Sequence, residues 1–322
     1  MSNFLPSIKI LSKNPEAQNL NAELSEFLVN ASTVLVDKQQ QLRLAWCCLV
    51  AGGHILIEDL PGMGKTTMVK LIAKLFDLPW KRIQCTSDML PADITGGNVF
   101  DDSTRTFVFH KGPLFTNLVM ADELNRASPK SQSAFLQAME ESTVTVDGVT
   151  YPLVQPFVVI ATQNSLDSAG TNPLPESQLD RFMMSISLGL PDRAGERQLL
   201  MDPPKSQTLD SLKPIFSIER LREMQNHVAR VHVGERVADY ILDLAEWLRA
   251  RSHGFSPRTA LAITACARAW AFGANRDFVM PADIQAVATS VLSHRLTTSN
   301  QAGIKNTRAL IEMALKSVEV PE

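Results

Sequence analysis

Along the first two thirds of the chain, short apolar runs alternate with longer segments whose apolar residues recur every three or four positions. Four of the short runs, Ile55–Ile57, Arg82–Cys85, Leu118–Ala121 and Phe157–Ala161, read as strands buried on both faces. Their alternation with helical periodicity predicts a parallel sheet with helices on both sides. From Val34 to Val50, Leu35, Leu42, Ala45, Trp46 and Leu49 fall at helical spacing and predict a helix packed before the first strand. Residues 1–34 read as a loose lead-in, polar and Asn/Ser-rich at first, then mildly amphipathic around Leu24, Phe27 and Leu28.

Two hairpins interrupt the alternation. Thr143–Tyr151 sets Asp147-Gly148 between two β-rich runs, a strong signal for a tight primed turn. A weaker one runs from Gly97–Phe100 through Asp101–Thr104 to Thr106–Phe109. The α/β core spans 35–200, and a proline-rich break at Met201–Lys205 opens a linker over 201–217. Beyond it, in 218–322, the pattern is helical only, over 218–231, 235–251, 257–272 and 282–294. Ser256-Pro257 supplies a hydroxyl cap and a first-turn proline for the third of these helices.

Net charge is −3, which gives no electrostatic reason to expect a nucleic-acid or anionic-membrane partner. The longest apolar stretch, Leu44 to Ile57, is too short to span a bilayer and contains Gly52, Gly53 and His54. Cys47, Cys48, Cys85 and Cys266 form no metal-type pair and read as buried free thiols in a reducing compartment. The polar N-terminus shows no signal-peptide pattern, so the expected compartment is the cytoplasm.

The candidate chemistry begins at Glu58-Asp59-Leu60-Pro61-Gly62-Met63-Gly64-Lys65-Thr66-Thr67, between the first strand and a helix. A glycine-rich turn closed by Lys-Thr aims backbone N–H groups and a helix N-terminus at a triphosphate. Lys65 would reach the β/γ-phosphates and the Thr66 hydroxyl would ligate Mg²⁺. Asp59 stands where the phosphate-loop pattern has its first glycine, and an ordinary turn is the competing reading of this stretch alone. The strand Leu118–Ala121 then ends in Asp122-Glu123, two carboxylates at the sheet edge that faces the same crevice. Asp122 would hold Mg²⁺, directly or through water, and Glu123 would polarise the attacking water as general base. The alternative is that both acids cap the next helix. Asn164, after another buried strand, could bond both γ-phosphate and water, with a turn role as competitor. Arg181 could stabilise charge on the γ-phosphate, and Arg258 could reach nucleotide from the second domain. Taken singly, a solvated salt bridge is the stronger reading of either arginine.

Together these stretches resemble an AAA+ ATPase, and more closely the MoxR family. Further similar segments are Arg82–Thr86, Leu90–Gly96, Ala121–Ala127, Gln137–Glu141, Ala161–Asn164, Leu174–Phe182 and Ser256–Arg258, so the match covers about residues 35 to 295. The resemblance implies a P-loop α/β core with two β-hairpin insertions and a small all-α lid. It makes Lys65 and Thr66 the Walker A pair and Asp122 with Glu123 the Walker B pair. Asn164 becomes sensor 1, Arg181 an arginine finger acting on a neighbouring subunit, and Arg258 sensor 2 on the lid. The nucleotide would be lined by Asp59, Leu60, Pro61, Gly62, Met63, Gly64, Lys65, Thr66 and Thr67, with Arg258. Gln84 sits where the family restrains the catalytic glutamate until a client binds, with Arg126 as another candidate for that role. Ser165 replaces the proline that often follows the sensor amide.

By the same resemblance the cofactors are ATP and Mg²⁺, and the assembly is a homo-oligomer, a hexamer with the finger in trans. The partner would be a von Willebrand factor A domain protein, and the substrate a protein client matured or activated by remodelling. The competing functions are a nucleic-acid-translocating motor and the motor subunit of a metal chelatase. DNA translocators usually carry Lys or Arg on the second hairpin, whereas this tip is Val146-Asp147-Gly148-Val149. Phosphate contacts need cations, so a protein substrate is favoured and no membrane insertion is expected.

Overall fold

The computed structural model describes residues 15–164, 170–202, 206–297 and 303–321. Residues 1–14 of the lead-in, Pro203–Lys205 of the proline-rich break and Ser165 lie outside them. From the amino end, α1 (Pro15–Ser32) and α2 (Gln39–Val50) precede β1 (Ile55–Glu58), which is followed by α3 (Lys65–Leu75). Next come β2 (Trp80–Gln84), α4 (Pro91–Thr95), the hairpin β3 (Gly96–Asp101) and β4 (Thr106–Lys111), and β5 (Leu118–Asp122). A 3-10 turn, Leu124–Arg126, leads to α5 (Pro129–Glu141), the hairpin β6 (Thr143–Val146) and β7 (Val149–Pro152), and β8 (Val158–Gln163). Then follow α6 (Glu176–Leu179), β9 (Met184–Ile186), α7 (Arg193–Met201) and α8 (Ser206–Ser211). The remainder is helical: α9 (Ile218–Val228), α10 (Glu235–Arg249), α11 (Pro257–Gly273), α12 (Pro281–Leu292) and α13 (Gly303–Ser317).

All four strands read from the sequence belong to one parallel sheet, in the order β2-β5-β8-β1-β9. The fifth strand, β9, is only Met184–Ile186, too short to stand out as a pattern, yet all three residues are buried against β1. This order sets the carboxyl ends of β5, β8 and β1 side by side, with Glu58 paired to Gln163 across β1 and β8. Every loop leaving that edge opens into the same crevice.

The lead-in is not loose where it is described. Residues 15–32 form α1, and Leu24, Phe27 and Ala31 are buried. The Phe27 ring meets Phe76, just after α3, at 5.6 Å and Phe216 at 6.2 Å, so the apolar stripe of α1 rests on partners far along the sequence. The predicted pre-strand helix starts only at Gln39, and Val34–Lys38 form the turn before it. Along α2, Leu42 and Leu44–Val50 are all buried, between α1, β9, α9 and α11. This helix is therefore the common spine of the sheet and the helical part. In the 201–217 stretch, α8 is a further helix. Beyond the four helices expected in the second part, α13 packs on α10 and α12.

Both hairpins are present. Asp147 (φ 48°) and Gly148 (φ 79°) turn β6 into β7 with the two left-handed residues a primed turn requires. Asn98 Nδ2 of the first hairpin donates to Asp147 Oδ2 of the second at 2.7 Å, and Phe109 stacks on Tyr151 at 4.0 Å between ring centroids. The two insertions thus form one joined surface.

Candidate nucleotide site

The loop from Asp59 to Gly64 curls because Gly62 (φ +84°) and Gly64 (φ +88°) take backbone conformations that side chains strain. Gly64 is the N-cap of α3, no side chain caps that helix, and its first turn carries no acid. The N–H groups at the start of α3 are therefore presented to an anion, with the helix dipole behind them. Lys65 Nζ lies across the loop and donates to the carbonyls of Asp59 (2.7 Å) and Gln163 (3.3 Å), tying the ends of β1 and β8. Burial lowers its pKa, while the carboxylates of Asp59, Asp122 and Glu123 work the other way.

Asp59, the residue at the missing glycine, has a structural use. Its carboxylate accepts from Ser187 Oγ at 2.9 Å and from the backbone N–H groups of Leu188 and Gly189. The side chain is turned into the segment after β9, and only the Asp59 backbone remains on the loop. Glu58 does likewise, accepting from Ser185 Oγ of β9 at 2.7 Å. The two acids latch the edge strand to the phosphate loop.

At the end of β5, Asp122 is buried and both of its oxygens are engaged. Oδ1 accepts from Thr162 Oγ1 at 2.6 Å, and Oδ2 accepts from Arg82 Nε at 3.1 Å and Nη2 at 2.5 Å. Glu123 adopts a left-handed backbone (φ 55°), rare for a non-glycine residue, and its N–H donates to the same Thr162 hydroxyl at 2.9 Å. Its Oε2 accepts from Gln84 Nε2 at 3.3 Å and pairs with Arg126 Nε at 2.9 Å. Arg82 Nη2 also reaches Gln84 Oε1 at 2.9 Å, closing a chain from Asp122 to Glu123 through β2. Thr162 and Arg82 were assigned no role by motif reading. The available signal for Thr162 was a hydroxyl inside the buried run of β8. Arg82 lies in the edge strand β2, which is largely exposed and not buried on both faces as its sequence predicts. Asn164 follows the last residue of β8, at the same sheet edge where Glu123 follows β5.

Beside the loop lies a cavity of about 1460 Å³, large enough for a base and ribose as well as phosphates. Its apolar walls include Val34, Leu35 and Val36 before α2, with Leu190 and Pro191 after β9. These residues too were missed from sequence, because only the fold brings the two segments to Gly62–Gly64. Among the described residues no group of three or more His, Cys, Asp or Glu could hold a metal by itself. A carboxylate and a hydroxyl are nevertheless hard oxygen donors of the type that holds Mg²⁺ together with substrate phosphates.

The structure does not place the two arginines at this loop. Arg181 Nη1 pairs with Glu140 Oε2 at the end of α5 and donates to Leu136 O at 3.0 Å. Arg258 Nη2 donates to the other Glu140 oxygen at 2.8 Å. Both line a separate recess of about 320 Å³ with Asp180 and Arg295, and no loop residue borders it. In one chain Arg258 therefore groups with Arg181, not with the phosphate loop from which a cis-acting sensor would work.

Comparison with known proteins agrees with this geometry. Residues 54–184 match the family model of ATPases associated with various cellular activities, and residues 249–313 match the AAA lid domain. The chain is 33% identical over 330 residues to chaperone MoxR1 of Mycobacterium tuberculosis, covering 95% of this chain and 85% of that protein. It is 39% identical over 311 residues to YeaC of Bacillus subtilis, itself uncharacterized, covering 94% and 97%. The chain belongs to the MoxR family of AAA+ ATPases. A solved structure of a protein inferred to be an ATPase, from Cytophaga hutchinsonii, superposes with a TM-score of 0.84 at 35% identity, covering 95% of this chain and 97% of its own. This MoxR-family chain is thus an ATPase with a parallel-sheet core, a helical lid and a nucleotide-binding crevice.

Proposed function

We propose that this MoxR-family ATPase hydrolyses ATP with Mg²⁺ at sites shared between copies of a hexamer, and uses the cycle to remodel protein clients presented by a von Willebrand factor A domain partner. In this reading the backbone of Asp59–Thr67 cradles the phosphates and Lys65 neutralises the β/γ oxygens. Thr66 and Asp122 would hold Mg²⁺, which would supply charge neutralisation on the phosphates. Because both Asp122 oxygens are engaged, contact through a water fits best. Glu123 takes the proton of the attacking water, and Asn164 orients that water against the γ-phosphate. Arg181 enters from the next copy, together with Arg258. Before turnover the Glu123 carboxylate has to leave Gln84 and Arg126, so either can restrain it.

The observation that carries the choice of a protein substrate is the surface of the joined hairpins. Phe107 is 71% exposed, Phe100 is 49% exposed, and their rings meet edge to face at 5.4 Å. Val99, Val108 and Val149 are exposed on the same two hairpins, where Asp101, Asp102 and Asp147 outnumber the single Arg105 at the turns. Clustered exposed aromatics are unusual on a monomer and mark a contact surface. Sequence-independent binding to nucleic acid would need cations there instead. The four cysteines are all buried and free, which suits a reducing cytoplasm, and among the described residues no helix is long and apolar enough to cross a membrane.

The test is a binding and turnover comparison. Phe100→Ala with Phe107→Ala should leave basal ATPase activity within about twofold while abolishing recovery of client by the hydrolysis-arrested form. Stimulation of ATPase activity by DNA or RNA, undiminished in that double variant, would replace the protein client with a nucleic acid.

A further inference from the structure

Glu140 is poorly placed for the helix it ends. A carboxylate in the last turn faces the negative end of the helix dipole. Glu141 adds a second acid, and no basic residue lies in that turn. What Glu140 holds is arginine: its Oε2 takes Nη1 of Arg181, and its Oε1 takes Nη2 of Arg258. One carboxylate therefore bridges a guanidinium of the core and a guanidinium of the lid.

Each member of the trio stands on its own mount. The backbone beside Glu140 is pinned by His54, whose Nε2 donates to Met139 O at 3.1 Å while Nδ1 accepts from Val159 N–H at 3.0 Å. The segment carrying Arg181 is gripped by the buried Arg295 just after α12, through Asp180 Oδ1 (2.7 Å), Phe182 O (2.7 Å) and Met183 O (3.1 Å). Arg258 is the second residue of α11, whose N-terminus is fixed by the Ser256 hydroxyl accepting from Thr259 N–H. Backbones this firmly held leave the two guanidinium groups as the parts that need aligning. Arg181 Nε is buried without a partner, and Arg258 is half exposed, with Asp180 Oδ2 4.0 Å from its Nε. Glu140 is thus the carboxylate bonded to both arginines and the one that keeps the two like charges together.

We propose that Glu140 is a positioning residue that holds Arg181 and Arg258 as a pair, spaced by one oxyanion-sized group, for joint delivery to the terminal phosphate in the next copy. This rests on the reading of Arg181 as acting in trans. Two carboxylate oxygens span the pair as two phosphate oxygens do, and the arginines exchange the carboxylate for phosphate when the neighbouring site is filled. Pre-alignment of both donors is what a charge-stabilising site requires.

The test uses the full chain carrying Glu140→Ala, Glu140→Gln or Glu140→Asp. Glu140→Ala and Glu140→Gln should lower kcat about tenfold or more, with unchanged affinity for a fluorescent ADP and an unchanged melting midpoint. Glu140→Asp should retain part of the activity. When Glu140→Ala subunits are mixed with Lys65→Ala subunits, activity should return, because the second type brings an intact arginine pair to the intact site of the first. A kcat for Glu140→Ala at or above that of the unsubstituted protein overturns the proposal. If Arg181→Ala subunits recover in such mixtures and Glu140→Ala subunits do not, the shared site stands and the role of Glu140 falls. If neither recovers, the shared-site reading falls and takes the proposal with it.

Discussion

Two buried histidines make the fold sensitive to acid. Burial lowers the pKa of His54 to about 4 and that of His294 to about 3. His294 Nε2 is bonded to Phe182 O at 2.9 Å, and His54 needs its neutral form to accept from Val159 while donating to Met139. A histidine with a depressed native pKa contributes stability above its unfolded value of about 6.5 and loses it as pH falls below that value. At pH 5 each should cost about 2 kcal/mol. Glu58, raised by burial, gains stability on acidification and opposes the pair. The melting temperature should therefore fall between pH 7 and pH 5, and His294→Gln, which keeps a donor for Phe182, should flatten the slope; identical slopes would remove His294 from the account. Such roles were not legible in the sequence, where His54 appears only as an interruption of an apolar run. Its partner Val159 is 105 residues away. Asp59 teaches the same lesson, since a departure from the loop pattern turns out to bind the backbone after β9.

At the scale of elements, legibility followed burial and turn chemistry. β1, β5 and β8 could be read because both faces of each strand are covered, which leaves a run of apolar residues and no polar alternation. The β6–β7 turn could be read because Asp147-Gly148 has few other uses. By contrast α1 was missed, because its apolar stripe is narrow and rests on Phe76 and Phe216, which stack on each other at 4.7 Å. β9 was missed for its length. If α1 is an integral layer, Phe27→Ala should destabilise the chain by about 3–5 kcal/mol in urea unfolding. A change under about 1 kcal/mol would return this segment to the status of a lead-in.

At the scale of the whole molecule, the residues proposed for catalysis fall into two groups that do not meet within one chain. Lys65, Asp122, Glu123 and Asn164 stand at one sheet edge, whereas Arg181, Arg258 and Glu140 cluster around a separate recess. Motif reading supplied Lys65, Asp122, Glu123, Asn164, Arg181 and Arg258, but neither a role for Glu140 nor the grouping, because the position of Arg258 depends on how α2 and α12 seat the lid against β9. A site divided between copies, as proposed above, predicts that activity per subunit depends on assembly. Specific ATPase activity should rise with protein concentration in step with particle mass by light scattering, and a constant value down to the monomer would contradict a shared site. The central claim, that this crevice hydrolyses ATP with Glu123 as base, is tested most directly by single-turnover hydrolysis in Glu123→Gln beside its ATP affinity. The account predicts ATP binding within about threefold of the unsubstituted protein and hydrolysis slowed by about 10²-fold or more, the size expected for loss of a general base. Hydrolysis at an undiminished rate, with ATP bound, would contradict it.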